Sequence, residues 1–455
     1  MLKKTILSTI LTGVIMAENI SISKENKELD LTIYNNNLAF VSELRTIQIP
    51  VGNSNLIYEG ISAKVIPESV ISNLNGDITL YSQSYSYNLF DFDSILKKSI
   101  GEEVEYQIDQ KIRSGILLSQ NPIMVKDNEK VFVLEKSSQI IFKKIPIDLK
   151  VEPSFNWKIN STKDTVKDIS LKYLTNGLSW NSNYVASLEH NKLNLNGWIT
   201  VNNDSGVTYN NANLTFLAGE VNQEKPQRIM AAYQKAAVLE LADSTEVKEE
   251  SFSGYHTYKI PFKETLKDKE KKQILFISKN NIPYKNYGYA LISPNSNHTG
   301  EKEIKFNNMI EFSELDISLP AGIIRTYKKN SIGKDTFVGE SRIQNTPKNE
   351  KIKMEIGKLF DITGRQKVVQ FNSRVNGFDM VLEINLKNNG NEDRELVFDI
   401  AIDRHLALKR FSDNCELKNT GKCVSSSKNA WTREYELILK AGENYKFLAE
   451  YEVLN

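Results

Sequence analysis

The stretch Leu171–Val221, LKYLTNGLSWNSNYVASLEHNKLNLNGWITVNNDSGVTYNNANLTFLAGEV, decides how the rest of the chain is read. Ile169, Leu171 and Tyr173 alternate with polar residues, as do Leu193 and Leu195. That is the period of strands with one buried face. Asn202-Asn203-Asp204-Ser205-Gly206 is a turn by composition, because Asn, Asp and Gly tolerate the positive φ of tight turns. A second strand resumes at Leu214 and Phe216, so the segment predicts a β core.

Outward from this core, 455 residues exceed what one hydrophobic core usually serves. About two to four domains are expected. The hydrophobic share of 40% and the charged share of 25% are ordinary for a folded chain, which argues against disorder. Lys and Arg number 58 against 57 Asp and Glu, and the two signs are interleaved. No global field results, which excludes nucleic acid and an anionic bilayer as expected partners.

The first 17 residues read as a processing signal and not as fold. Lys3 and Lys4 form a positive n-region, Thr5 to Val14 an apolar h-region, and Ala17 ends a cleavage site before Glu18. The competing reading is a retained N-terminal anchor helix. No later apolar run reaches the ~20 residues of a membrane-spanning helix, so the mature chain is expected to be periplasmic or extracellular, with no integral membrane segment. Cys415 and Cys423 flank a short polar loop, which in an oxidising compartment suits a local disulfide. A metal site would want more ligands nearby, and a redox pair the spacing Cys-x-x-Cys.

An N-terminal β domain is expected over 18–160. Its strand-like runs include Leu31 to Tyr34, Ala39 to Ile49, Leu56 to Tyr58, Val104 to Ile108, Gly115 to Leu118, Lys130 to Leu134 and Ile140 to Leu149. Tyr81, Gln83, Tyr85 and Tyr87 fall on one face of an extended strand; they either cover a core or stack on sugar rings. Asp91 to Ser99 predicts one or two helical turns ended by Gly101. A central β domain over 161–365 carries an Ala-rich helical insertion at about 227–242. Its strands include Tyr255 to Ile260 and Gln273 to Ile277, separated by the solvated charge run KETLKDKEKK.

Residues 366–455 predict an immunoglobulin-like β-sandwich. Met380, Leu382, Ile384 and Leu386 alternate with polar or outward residues, Leu396 to Ile402 repeat the rhythm, and Tyr445, Phe447, Ala449, Tyr451 and Val453 close the chain. The fold class expected is therefore mainly β: several antiparallel sandwich-like domains, this immunoglobulin-like one and one short helix.

The order of YNNNLAFVSELRTIQIPVG, SYSYNLFDFDSILKKSIGEEVEY, YLTNGLSWNSNYVASL and LNGWITVNNDSGVTYNNANLTFLAGEV resembles a bacterial domain-of-unknown-function family. This is the β-rich module that also forms the C-terminal part of mucoidy-inhibitor-type proteins. The resemblance covers nearly the whole mature chain. It is most specific at Leu178-Ser179-Trp180 with Tyr184, at Asn203 to Gly206 and at Leu217-Ala218-Gly219. It implies an exported β protein and brings no catalytic residues with it.

A search for chemistry finds little. His190, His256, His298 and His405 are scattered, with no His-Glu-x-x-His pattern, Gly-x-Ser-x-Gly elbow or phosphate-cradling loop. No catalytic residue, cofactor or metal is expected. Asp204 is the one carboxylate candidate, against a turn-stabilising contact. Trp180 and Tyr184, with Trp198 and Tyr209, either line a carbohydrate groove or fill the interior. Two function classes follow. The first is a non-catalytic envelope protein presenting strand edges or loops to another envelope protein or to surface polysaccharide. The second is a carbohydrate-binding protein or hydrolase acting on envelope glycan. The sequence specifies no oligomeric state.

Overall fold

A computed structural model describes residues 18–454 apart from 75, 87–91, 109, 136–138, 145–151, 220–247, 253–254, 295–299, 314, 403–406, 414 and 416–422. The signal segment 1–17 and the helical insertion expected at 227–242 lie outside the described residues. Strand makes up 70% of the structure and helix 3%, so the chain is mainly β. Contact density divides it into two compact units, Met1–Trp180 with Val201–Lys272 and Asn181–Thr200 with Gln273–Asn455. The 161–365 stretch therefore contributes to both.

The first unit centres on the strand Leu38–Ile49, flanked by Glu28–Tyr34 and by Thr165–Asn176. The pairing with Thr165–Asn176 is antiparallel over its whole length, from Ile49 opposite Thr165 to Leu38 opposite Asn176. Glu28–Tyr34 also runs parallel to Tyr209–Ala218, with Leu31 opposite Leu214. The sheets are thus mixed, not purely antiparallel, because distant strands supply neighbours that no hairpin can. Gly177 closes this region at φ +92°, where an added Cβ would lie 2.7 Å from the Cα of Ser205. Only glycine fits so close an approach.

A four-stranded sheet in the same unit orders Glu18–Ser21, Gly52–Glu59, Ser154–Ser161 and Ile78–Ser86. A register shift between Lys158 and Ile159 puts Tyr81 at a bulge, so the expected row Tyr81-Gln83-Tyr85 does not share one face. Tyr85 packs on Phe155, whereas Tyr81 is 65% exposed. One inserted residue flips the side-chain phase on either side of it. A five-stranded antiparallel sheet completes the unit with the helix Phe92–Lys98: a meander of Glu103–Ile108, Lys111–Gln120, Ile123–Asp127 and Lys130–Leu134, with Ile140–Phe142 returning beside Glu103–Ile108.

The second unit packs two sheets over one core. Leu382, Ile384, Phe447 and Val453 come from one sheet, Leu396, Phe398, Tyr435 and Leu437 from the other. The alternation read along 380–386 and 445–453 is the buried face of these strands. The core also takes in Ile292, Phe306 and Ile362, N-terminal to residue 366. Trp431 lies in the turn before Thr432–Leu439 and is partly exposed. The runs at Gln273 to Ile277 and IPYKNYGYALI form one strand, Glu270–Ile292. It continues through Asn281, whose left-handed φ of 61° is held as its N–H donates to Asn194 Oδ1 at 2.9 Å.

Candidate interaction surface

The residues singled out from the sequence do not form a ligand surface. Trp180 is buried, its ring against Phe216 and Tyr258 and its Nε1–H donating to the Leu217 carbonyl at 3.3 Å. Tyr184, in the second unit, is buried against Phe276 and donates its hydroxyl to the Pro320 carbonyl at 2.7 Å. Burial pushes its phenol well above the usual range. Tyr209 is buried and Trp198 half-buried. Trp180, Tyr184 and Tyr209 fill interiors because strand alternation points them inward, whereas Trp198 takes the opposite phase from buried Leu195 and Ile199.

Asp204 is exposed and pairs with Lys269 at 3.5 Å. The turn contact expected of it belongs to Asn203, whose Oδ1 accepts the Ser205 N–H at 3.1 Å and whose Nδ2 donates to the Leu266 and Val207 carbonyls. Asn203 is buried and brings two donors and an acceptor to the turn; Asp204 brings acceptors only. The charge run expected as a solvated tip is partly built into the sheet: Glu264–Leu266 pairs with Tyr209–Ala218, Lys272 is half-buried between Glu264 and Glu270, and Asp268 accepts the Gly206 N–H.

Sequence reading missed a buried polar cluster. Ala39, Val41, Glu43, Arg45, Ile47 and Ile49 share the inward phase of one strand, and Glu43 and Arg45 are 2% and 1% exposed. Arg45 bonds Glu43 Oε2, Asn26 Oδ1 and the Glu59 carbonyl. Tyr58 and Tyr173 donate to Glu43 at 3.0 and 2.9 Å. Burial, and then the Glu43 charge, raise both phenols. The buried pair is held by protein groups on several sides, so the cluster specifies the core. Its signal was present: two charges at the apolar phase of LAFVSELRTIQI.

In the second unit, Lys428 bridges Asp399 and Glu434 at 2.7 and 3.2 Å, and Tyr289 donates to Asp399 at 2.7 Å. Burial first, then the Asp399 hydrogen bond, push the Tyr289 phenol up to about 12. Among the described residues no three His, Cys, Asp or Glu side chains gather as a metal site. His298 and His405 lie outside the described residues. The expected disulfide joins Cys415 and Cys423 with Cα atoms 5.5 Å apart.

The surface best shaped for a partner is the meander. One face packs Leu96 of the helix with Val104, Tyr106, Leu117, Val125 and Leu134. Its other face exposes apolar side chains among charged ones: Val131 and Val133 are 53% and 64% exposed, and Ile112, Ile116 and Leu118 are also exposed, beside Glu103, Glu105 and Lys126. The reason is local, since runs such as Val131-Phe132-Val133-Leu134 are apolar in both phases.

The strand Lys130–Leu134 ends the sheet, pairing with Ile123–Asp127 and, among the described residues, with nothing beyond. The two-residue turn Asn128-Glu129 makes Asp127 and Lys130 a hydrogen-bonded pair. Alternation then turns the backbone N–H and C=O of Val131 and Val133 toward the open edge. Such an edge templates another strand. No family model matches this chain, and no curated protein matches it.

Proposed function

We propose that this chain is an exported, non-catalytic interaction module of the cell envelope that accepts an extended segment of a partner protein beside Lys130–Leu134. The carrying observation is the coincidence, at Val131 and Val133, of exposed side chains and backbone groups that meet no further strand among the described residues. An added strand would pair with the backbone groups and cover the side chains. Its chemistry follows: apolar at alternate positions, so as to lie beside Val131 and Val133 on the same face, where Lys126 is their charged neighbour.

The signal-like segment 1–17 and the Cys415–Cys423 disulfide support export to the periplasm or beyond. The resemblance to the exported β-rich family, and an immunoglobulin-like reading of 366–455, support the same class.

The test is site-specific photocrosslinking at Val133 in the native envelope. A single dominant protein adduct is expected, mapping to a segment with alternating apolar residues and lost in Val131→Pro. That variant removes an edge N–H while leaving the pairing with Ile123–Asp127 in place. Adducts with a second copy of this chain, with glycan alone, or unaffected by Val131→Pro would overturn the reading.

A further inference from the structure

The four-stranded sheet of the first unit carries a second surface of different chemistry. On its central strand, buried Phe155, Trp157 and Ile159 alternate with outward Asn156, Lys158 and Asn160. Cross-strand register sets Lys158 between Asn55 and Ser82, and Asn160 between Asn53 and Thr79. Asn19 continues the first row beyond Asn55. The rows are paved with amides and hydroxyls.

Those amides are held in place. Asn55 Nδ2 donates to Asn19 Oδ1 at 3.0 Å, Asn160 Nδ2 to Asn53 Oδ1 at 2.9 Å, and Asn156 Nδ2 to Ser86 Oγ at 3.0 Å. Each amide pair fixes two side chains through one donor and one acceptor. The carbonyl of the donating Asn and the amino group of the accepting Asn keep capacity for a ligand. Ordering in advance lowers the entropy lost on binding.

Tyr81 stands at the bulge of the outer strand, immediately before Ser82, with 65% of its surface in water. Bulges re-aim side chains, and an exposed ring is a flat apolar platform with a polar tip. Lys158 is the single cation in these rows, too little charge to hold a polyanion.

We propose that this face binds a neutral polysaccharide. Sugar hydroxyls donate and accept alike, matching paired side-chain amides; the apolar C–H face of a pyranose matches the Tyr81 ring. The inference rests on different residues from the strand-accepting edge and goes beyond that reading.

Affinity electrophoresis of the full chain tests it, with laminarin, dextran, hydroxyethylcellulose or polygalacturonate cast in the gel. Retardation by at least one of the three neutral polymers is expected. Tyr81→Ala weakens it about tenfold, as loss of a stacking ring would. Tyr81→Phe retains it, and N55A/N160A weakens it without lowering the melting temperature. Val131→Pro leaves retardation unchanged, so failure of the edge reading is distinguishable. Retardation by no neutral polymer, by polygalacturonate alone, or unaltered in both Tyr81→Ala and N55A/N160A would overturn the proposal.

Discussion

Tyr173 donates a hydrogen bond from its hydroxyl to Glu43 Oε1 at 2.9 Å across a sequence separation of 130 residues. The bond joins two neighbouring strands of the main sheet through a core that also holds Arg45. A carboxylate there depends on each of its donors.

Glu43→Ala strands the Arg45 guanidinium in the interior and should cost about 3–5 kcal/mol. Replacing both charges, as in E43M/R45M, should cost less, because no unpaired charge remains. Urea unfolding followed by tryptophan fluorescence checks this, since Trp157 lies 5.6 Å from the Tyr58 ring. Equal losses in the single and double variants would contradict it.

Stability should fall as pH rises above about 10. Burial raises the phenols of Tyr58, Tyr173, Tyr435 and Tyr451 in the folded chain. Unfolded tyrosines ionise near pH 10, so above that the unfolded state binds fewer protons and the slope of stability with pH is negative. Each phenol kept neutral contributes about 1.4 kcal/mol per pH unit. Absorbance titration should show these tyrosines ionising together with loss of the near-ultraviolet dichroism; ionisation in a still-folded chain would count against the assignment.

Reduction of Cys415–Cys423 should destabilise the second unit by about 2–3 kcal/mol, the chain-entropy value for so short a loop. Cys415 is buried in the same core as Tyr435 and Phe447. Differential scanning calorimetry with and without reductant reads the change, and the C415S/C423S variant should match the reduced protein.

Gly197→Ala should overpack the second unit. An added Cβ would sit 2.3 Å from Ile277 Cγ2, 2.8 Å from Phe276 Cε1 and 3.0 Å from Tyr184 Cδ1. A loss of about 1–3 kcal/mol is expected, whereas Gly333→Ala meets no neighbour within 4 Å, and only its left-handed φ of 76° resists the change. A melting temperature unchanged in Gly197→Ala would show that Ile277 and Phe276 yield freely.

Strand existence was legible wherever one face alone is buried. Lys130 to Leu134 was read with its observed bounds, and 380–386 with its buried phase. The same period misled at Tyr81, where a bulge invisible to local pattern shifts the phase. It also passed over Glu43 and Arg45, because charge on an inward phase looks like an outward residue until the partner strands are known. Of the two readings left open for Trp180 and Tyr184, groove lining or interior filling, burial decides for the interior, since composition does not say which side of a strand another sheet will cover.

By itself the sequence determined the β class, the turn at 202–206 and the Cys415–Cys423 bond, all of which follow from the identities and spacing of near neighbours. Tertiary structure decided that Leu31 would lie beside Leu214, that Glu43 would meet Tyr173, that the strand of Val131 and Val133 would be an edge among the described residues and that Asn55 would face outward beside Lys158. The reason is that backbone hydrogen bonds are chemically alike along every strand. Choice among partners therefore falls to the burial of whole faces, which exists only once distant segments have come together.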